Sequence, residues 1–222
     1  WYQRRVRGMI AIIGSGGKST LLKHLALQTK QKTVCFTTTK MALEQLNFCP
    51  SCESFNQLKQ IQLQSVFNQS CQRVSTQMPP SWQFPPGFLY IYEADGAKMK
   101  PLKFHQNDPV FLPQTSEIFV VVGLSGFQKP LSENMFRSEQ FLEKYQLEPD
   151  QICDLEVLKL IVDEYMGQWE SWDCVDRNSQ FKHGQKNLEC KQVLVFNQLD
   201  TVEEEVLEEI KQIWPNAIYG VK

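Results

Sequence analysis

Apolar residues in this chain fall into short blocks separated by glycine and proline. Residues 8–13 are almost wholly apolar, rich in isoleucine and halted by Gly14, the pattern of a buried parallel strand entering a turn. Over residues 19–29, Leu21, Leu22, Leu25 and Ala26 recur at helical spacing, and residues 33–36 return to a short strand-like run. Strand, glycine loop, helix and strand make a βαβ unit. Further strands are predicted over residues 88–92, ending at Glu93-Ala94-Asp95-Gly96, and 118–122, ending at Gly123. Residues 138–145 and 155–166 predict helices, the second stopped by Gly167. Residues 193–196 are the clearest late strand, followed by Asn197-Gln198-Leu199-Asp200 and a helix whose Thr201 and Glu204 fit a capping box. A short strand over residues 217–219 ends the pattern.

Between these elements the composition shifts. Residues 47–87 are rich in Gln, Ser, Cys and Pro, which predicts an irregular excursion of loops around a short helix at 55–67. Residues 127–191 predict an accessory helical and loop segment, polar and irregular from 170 onward. The repeated strand, loop and helix order predicts one α/β domain over residues 1–222. Its architecture is expected to be P-loop NTPase-like: a mainly parallel sheet with helices on both faces and a crevice beyond the strands' carboxyl ends. There is no internal repeat, heptad array or low-complexity tail.

Composition narrows the classes of partner. With 42% hydrophobic and 22% charged residues, 222 residues can bury a substantial core. A formal net charge of -2 and a pI near 6.0 offer no broad attraction to a polyanion, so nucleic acid is not an expected partner. No apolar run approaches the roughly 18 residues of a membrane span, and the cytoplasm is the expected compartment. The chain starts at Trp1 rather than Met, which leaves a removed leader open. Seven cysteines, an odd number at irregular spacing, are expected to be reduced. Cys49-Pro50-Ser51-Cys52 has no second such pair and reads as a loop rather than a metal or redox site.

The first βα turn carries the chemistry. Gly14-Ser15-Gly16-Gly17-Lys18-Ser19-Thr20 supplies small residues where a backbone must approach phosphate oxygens, a lysine for the β and γ phosphates and a serine hydroxyl for Mg²⁺. Thr20 is a candidate for the α-phosphate. The loop is a variant, because the usual spacing would put glycine where Ile12 stands. Thr37-Thr38-Thr39-Lys40 follows the second strand, where Thr38, Thr39 and Lys40 can serve Mg²⁺, a water or the γ-phosphate. Glu93 and Asp95 stand at a strand's carboxyl end, Asp95 as the expected metal-side carboxylate and Glu93 as the group that orients a hydrolytic water. Asn197 and Asp200 resemble the base-reading turn of GTPases, with Gln198 where that signal has lysine, so ATP and GTP both stay open. His24, His105 and His183 show no metal-binding spacing and are expected to be structural or exposed.

Taken in order, the 14–20 loop, Thr37-Thr38-Thr39-Lys40-Met41, Glu93-Ala94-Asp95-Gly96-Ala97-Lys98, Pro101-Leu102-Lys103 and the 197–200 turn resemble the YqeC family of accessory proteins for selenium-dependent molybdenum hydroxylases. The resemblance implies a P-loop nucleotide-binding fold and a role in maturing such an enzyme, with a molybdenum-pterin cofactor, a selenium donor or the hydroxylase as partner. Asn107-Asp108-Pro109-Val110 stands where the family has a His-Glu-Pro-Val-like segment, and Phe136-Arg137-Ser138-Glu139 where it has a His-Arg-Pro-Glu-like one. Lys98, Lys103 and Arg137 are candidates for an anionic cofactor, Arg137 foremost because the matching segment retains it. The leading expectation is a Mg²⁺-dependent NTPase using Lys18, Glu93 and Asp95, with Ser19 and Asp95 at the metal. A nucleotide-gated chaperone without turnover and a small-molecule kinase are the alternatives.

Overall fold

The computed structural model of the chain describes residues 8–46, 48–59, 61–66, 68–70, 73–76, 84–106, 108–112, 114–167 and 190–220. Its central strand is β1 (Met9–Gly14), in which every residue is buried. A strand covered on both faces needs an unbroken apolar run rather than alternation, which is what residues 9–13 supply. Helix α1 (Lys18–Gln28) and strand β2 (Thr33–Thr37) follow and complete the expected βαβ unit. Next come β3 (Met41–Ala42), β4 (Ser51–Cys52), β5 (Leu63–Val66), β6 (Asn68–Ser70), β7 (Arg73–Ser75), β8 (Leu89–Glu93), β9 (Leu102–Lys103) and β10 (Thr115–Gly123). The remainder supplies α2 (Leu131–Asn134), β11 (Met135–Phe136), α3 (Ser138–Tyr145), α4 (Leu155–Gly167), β12 (Lys191–Asn197), α5 (Glu204–Ile213) and β13 (Ile218–Tyr219).

Eight strands form one sheet in the order β13-β12-β10-β1-β8-β2-β5-β4, and every pairing in it is parallel. Beside it lie the parallel pair β9 and β11 and a small antiparallel sheet of β3, β7 and β6. Side chains alternate between the faces of the large sheet. Ile10 and Ile12 pack with Leu21, Leu22 and Leu25 of α1 on one face, while Ala11 and Ile13 share a cluster with Phe141 of α3, Ile161 and Tyr165 of α4, and Ile210 of α5. Each large apolar side chain buried in this way contributes roughly 1.5–3 kcal/mol. Among the described residues, no helix is long and apolar enough to cross a membrane.

Two local expectations are corrected. The described residues of 55–67 do not form the expected helix: Phe55–Gln57 makes a single 3₁₀ turn, and β5 pairs in parallel with β2. The segment has no helix-length apolar stripe, and the edge of β2 satisfies its backbone instead. Part of the stretch at 47–87 therefore supplies the sheet strands β4 and β5. The capping box at Thr201 does not form either. Residues 199–201 make a 3₁₀ turn, the Thr201 hydroxyl donates to the Gln198 carbonyl at 2.6 Å, and α5 begins after Glu203. Most of the interval expected to be irregular from 170 onward, His183 included, lies outside the described residues.

Tyr165 ties α4 to the loop beyond the sheet. Its hydroxyl donates to the Lys103 carbonyl at 2.6 Å and accepts from the Lys103 amide at 2.8 Å. Both groups of Lys103 are buried, so Tyr165→Phe leaves a donor and an acceptor without this partner. The expected cost is about 1–3 kcal/mol, read as a lower urea midpoint at unchanged m-value; an unchanged midpoint would show that the hydroxyl contributes nothing.

Candidate functional site

The carboxyl ends of β1, β8, β10 and β12 meet around the glycine loop. Gly14 has φ +88, and a Cβ there would sit 2.1 Å from the Val121 carbonyl oxygen of β10. Gly17 has φ +123, and a Cβ there would meet Asn197 Nδ2 at 1.9 Å. Glycine at these two positions is thus required by backbone conformation and by close approach to the neighbouring strands. The loop is tied down by Ser15 N to the Val121 carbonyl at 2.9 Å, by the Ser15 hydroxyl to the Pro101 carbonyl at 2.9 Å, and by Asn197 Nδ2 to the Gly16 carbonyl at 3.1 Å. It leads directly into α1, whose start has no side-chain cap and no acidic residue in its first turn. An uncapped helix start beside a glycine loop directs partial positive charge at whatever lies in front of it.

The two carboxylates at and just beyond the end of β8 have different partners. Glu93 Oε1 accepts from the Ser19 hydroxyl at 2.5 Å, and the Glu93 carbonyl accepts from the Thr38 amide at 3.0 Å and the Thr38 hydroxyl at 3.2 Å. Asp95 is fully buried. Its Oδ2 accepts from the Gly14 amide at 3.0 Å and from Lys103 Nζ at 3.0 Å, and it lies 2.8 Å from His105 Nε2. Its Oδ1 faces Lys18 Nζ at 3.2 Å as an ion pair, while Lys18 donates to the Gly14 carbonyl at 2.8 Å. The charges continue outward: Lys103 pairs with Asp108, and Asp108 Oδ1 accepts from Arg137 Nη1 at 2.6 Å. A chain of alternating charge thus runs from the glycine loop to Arg137, at the start of α3.

Burial and these partners set the protonation states. Burial by itself would raise the Asp95 carboxyl, but the ammonium of Lys18, that of Lys103 and the His105 ring outweigh it and hold it far below the usual carboxylate range. For Asp108, burial is likewise outweighed, by Lys103 and Arg137, and the group is held low. Burial lowers His105 despite Asp95. Burial raises Glu93, only partly offset by Lys18 and the Ser19 hydroxyl. Lys18 is raised, because the attraction of Asp95 and Glu93 exceeds the effect of its burial.

The structure therefore brings Gly14 to Ser19 together with Glu93, Asp95, Thr38 and Asn197, and joins Ser19 to Glu93 rather than to Asp95. The Thr39 amide and hydroxyl turn to the Thr37 hydroxyl, at 3.1 and 3.3 Å. Thr20, Lys40 and Asp200 are exposed and enter none of these bonds. His105, expected to be structural or exposed, is a buried partner of Asp95. The role of Asp108 went unread in the sequence, although Lys103 left a signal: a lysine set between Leu102 and Phe104 in a strand must be exposed or paired, and here it is paired. Cys49 and Cys52 are thiols rather than halves of a disulfide, and no group of three or more His, Cys, Asp or Glu among the described residues is arranged to hold a metal.

These shifts fix the direction of the pH dependence of stability. Asp95 and Asp108 fall below their ordinary 3.8 on folding, so their contribution is complete above that value and is lost as pH drops toward the folded values. His105 acts in the same direction at higher pH, because below 6.5 the unfolded chain takes up a proton that the folded one resists. Glu93 opposes them: its contribution is present below 4.5 and is lost as pH rises through its folded value. The thermal midpoint should therefore fall steeply below about pH 4, and Asp108→Asn should flatten this acid limb while lowering the midpoint at neutral pH. Scanning calorimetry across the acid range checks both; an equally steep limb in the variant would remove Asp108 from the account.

Neither the curated proteins nor the solved structures contain a match to the chain. A family model does match, over residues 10–139, more than half of the chain. That span contains the glycine loop, Glu93, Asp95 and the whole charge chain out to Arg137, and it stops before Asn197 and Asp200. On that match the chain belongs to the YqeC protein family.

Proposed function

We propose that the chain is a P-loop NTPase-like protein that binds a nucleoside triphosphate with Mg²⁺ and hydrolyses it while assisting maturation or cofactor delivery for a selenium-dependent molybdenum hydroxylase. The observation that carries the nucleotide reading is the Ser19 hydroxyl on the Glu93 carboxylate beside Lys18, at the uncapped start of α1 and at the carboxyl ends of a parallel sheet. The glycines allow the backbone to approach phosphate oxygens, and Lys18 is the cation for the phosphate chain. Ser19 and Glu93 would hold Mg²⁺ with the hard oxygen donors that suit it. Of the two carboxylates expected near the metal, this reading takes Glu93, because Asp95 is spent on two ammonium groups. When bound, the ion offsets charge on the phosphates. Thr38, bonded to the Glu93 carbonyl, would supply a further hydroxyl on the same side of the site. The maturation role, with a molybdenum-pterin cofactor, a selenium donor or the hydroxylase as client, rests on family membership alone.

Asn197 is committed to the Gly16 carbonyl, and Gln198 Oε1 accepts from the Ser125 hydroxyl at 2.8 Å, so both hold the loop and its surroundings. Asp200, exposed at the end of the same turn, is left as the group to read a base. In competition binding, GTP should be preferred over ATP, and Asp200→Asn should narrow the difference, because it replaces an acceptor oxygen with a donor amide. A preference for ATP that the variant leaves unchanged would reject base reading here.

Calorimetry with Mg²⁺-ATP and Mg²⁺-GTP tests the main reading. Lys18→Ala should weaken binding at least roughly tenfold, the loss of a charge-assisted hydrogen bond, and Glu93→Gln should remove the Mg²⁺-linked part while sparing metal-free binding. Equal affinity of the folded wild type and the folded Lys18→Ala protein would reject the phosphate loop. Phosphate release stimulated by a molybdenum-pterin cofactor supports the NTPase; tight binding without release points to a nucleotide-gated scaffold.

A further inference from the structure

Asp95 occupies the donors that the phosphate-loop reading assigns to a nucleotide. Its Oδ1 lies 3.2 Å from Lys18 Nζ and its Oδ2 takes the Gly14 amide at 3.0 Å. It is not a side chain that can swing aside. The carboxylate is fully buried, and leaving its place breaks its contacts with Lys103 at 3.0 Å and with His105 at 2.8 Å as well. Lys103 is itself fully buried and fixed on its other side by Asp108, which Arg137 holds. The far end of a phosphate chain laid along the loop therefore approaches a fixed negative charge in a site where salt and water screen weakly.

We infer that Asp95 sets the phosphate-chain selectivity of this site, standing where the terminal phosphate of a triphosphate would draw on Lys18, so that a nucleoside diphosphate binds nearly as well as the triphosphate. The inference rests on the phosphate-loop reading and specifies which ligand that site keeps. A diphosphate uses the uncapped start of α1 and leaves the Lys18 to Asp95 pair intact. A triphosphate adds charge next to Asp95 and competes with it for Lys18. Lys103 and the Asp108 to Arg137 pair dilute the repulsion without removing it, so the discrimination is graded rather than absolute.

The test is the ratio of triphosphate to diphosphate affinity, measured for GTP against GDP and ATP against ADP by calorimetry without metal. Wild type should bind each triphosphate no more than about tenfold tighter than its diphosphate. Asp95→Asn keeps an acceptor for the Gly14 amide but removes the charge, and should move the ratio at least roughly tenfold toward the triphosphate. A general loss of packing would weaken both ligands and leave the ratio in place, so the ratio separates selectivity from stability. Should Asp95→Asn fail to fold, wild type supplies a second reading: the γ-methyl ester of GTP, with one charge fewer at the terminal phosphate, should bind at least as tightly as GTP. A ratio unchanged in a folded Asp95→Asn protein, or GTP that outbinds its ester tenfold, overturns the inference while leaving the loop reading standing, provided Lys18→Ala still weakens GTP. Absence of nucleotide binding to wild type overturns both.

Discussion

The carboxylate of Asp95 has no access to water, and it is the group on which the rest of the site depends. Taking such a charge out of solvent costs on the order of several kcal/mol unless partners replace the lost hydration. Here the Gly14 amide, Lys18, Lys103 and His105 do so, two from the glycine loop and two from the segment that follows Pro101. Gly14 ends β1, Lys18 opens α1, Lys103 lies in β9 and His105 follows it. One buried anion therefore fixes the relative positions of the glycine loop and the 102–105 segment. Removal of any one partner would leave a buried charge less compensated.

The sheet makes this convergence possible. Parallel strands all present their carboxyl ends on the same side, so β1, β8, β10 and β12 bring the glycine loop, Glu93 and Asp95, Gly123 and Asn197 to one edge. Contacts there are close enough that Gly14 and Gly17 leave no space for a Cβ against β10 and Asn197. The same segments that shape the loop then anchor an outer layer: the Pro101 carbonyl accepts from both the Ser15 hydroxyl and the Gly123 amide, and Tyr165 grips Lys103 from α4. Loop, charge cluster and accessory helices form one continuous network, and the family match over residues 10–139 ends just past Arg137, the outermost cation of that network.

Division of labour between Glu93 and Asp95 follows from strand geometry. Glu93 is the last residue of β8, where it meets the Ser19 hydroxyl, whereas Asp95 lies two residues further on, beyond the strand, and turns toward Lys18 and Lys103. Their environments push them apart in protonation: Glu93 is raised by burial, and Asp95 is held low by its cations. Two nearby acids thereby acquire different chemistry, one directed at a serine hydroxyl and one at ammonium groups.

The sequence alone determined the α/β class of fold and where the glycine loop falls in it. Apolar runs at 9–13 and 118–122, too short for helices and each closed by a glycine, fit strands covered on both faces, and Gly14, Gly16 and Gly17 before Lys18-Ser19 mark a backbone turn that side chains would block. These are local signals, carried by neighbours in the chain. The partners of each charge were not legible. Whether Ser19 meets Glu93 or Asp95, and that Asn197 holds the Gly16 carbonyl, depend on contacts between residues far apart in the chain, and that Lys103 and His105 close around Asp95, with Asp108 on the far side of Lys103, depends on how a short loop folds back on itself. The 55–67 segment failed as a helix for the same reason, since pairing with β2 outweighed its weak local preference. Tertiary structure decided these points because the energy of a buried charge or an edge strand is set by what surrounds it in space, and a linear pattern records only what lies beside it in the chain.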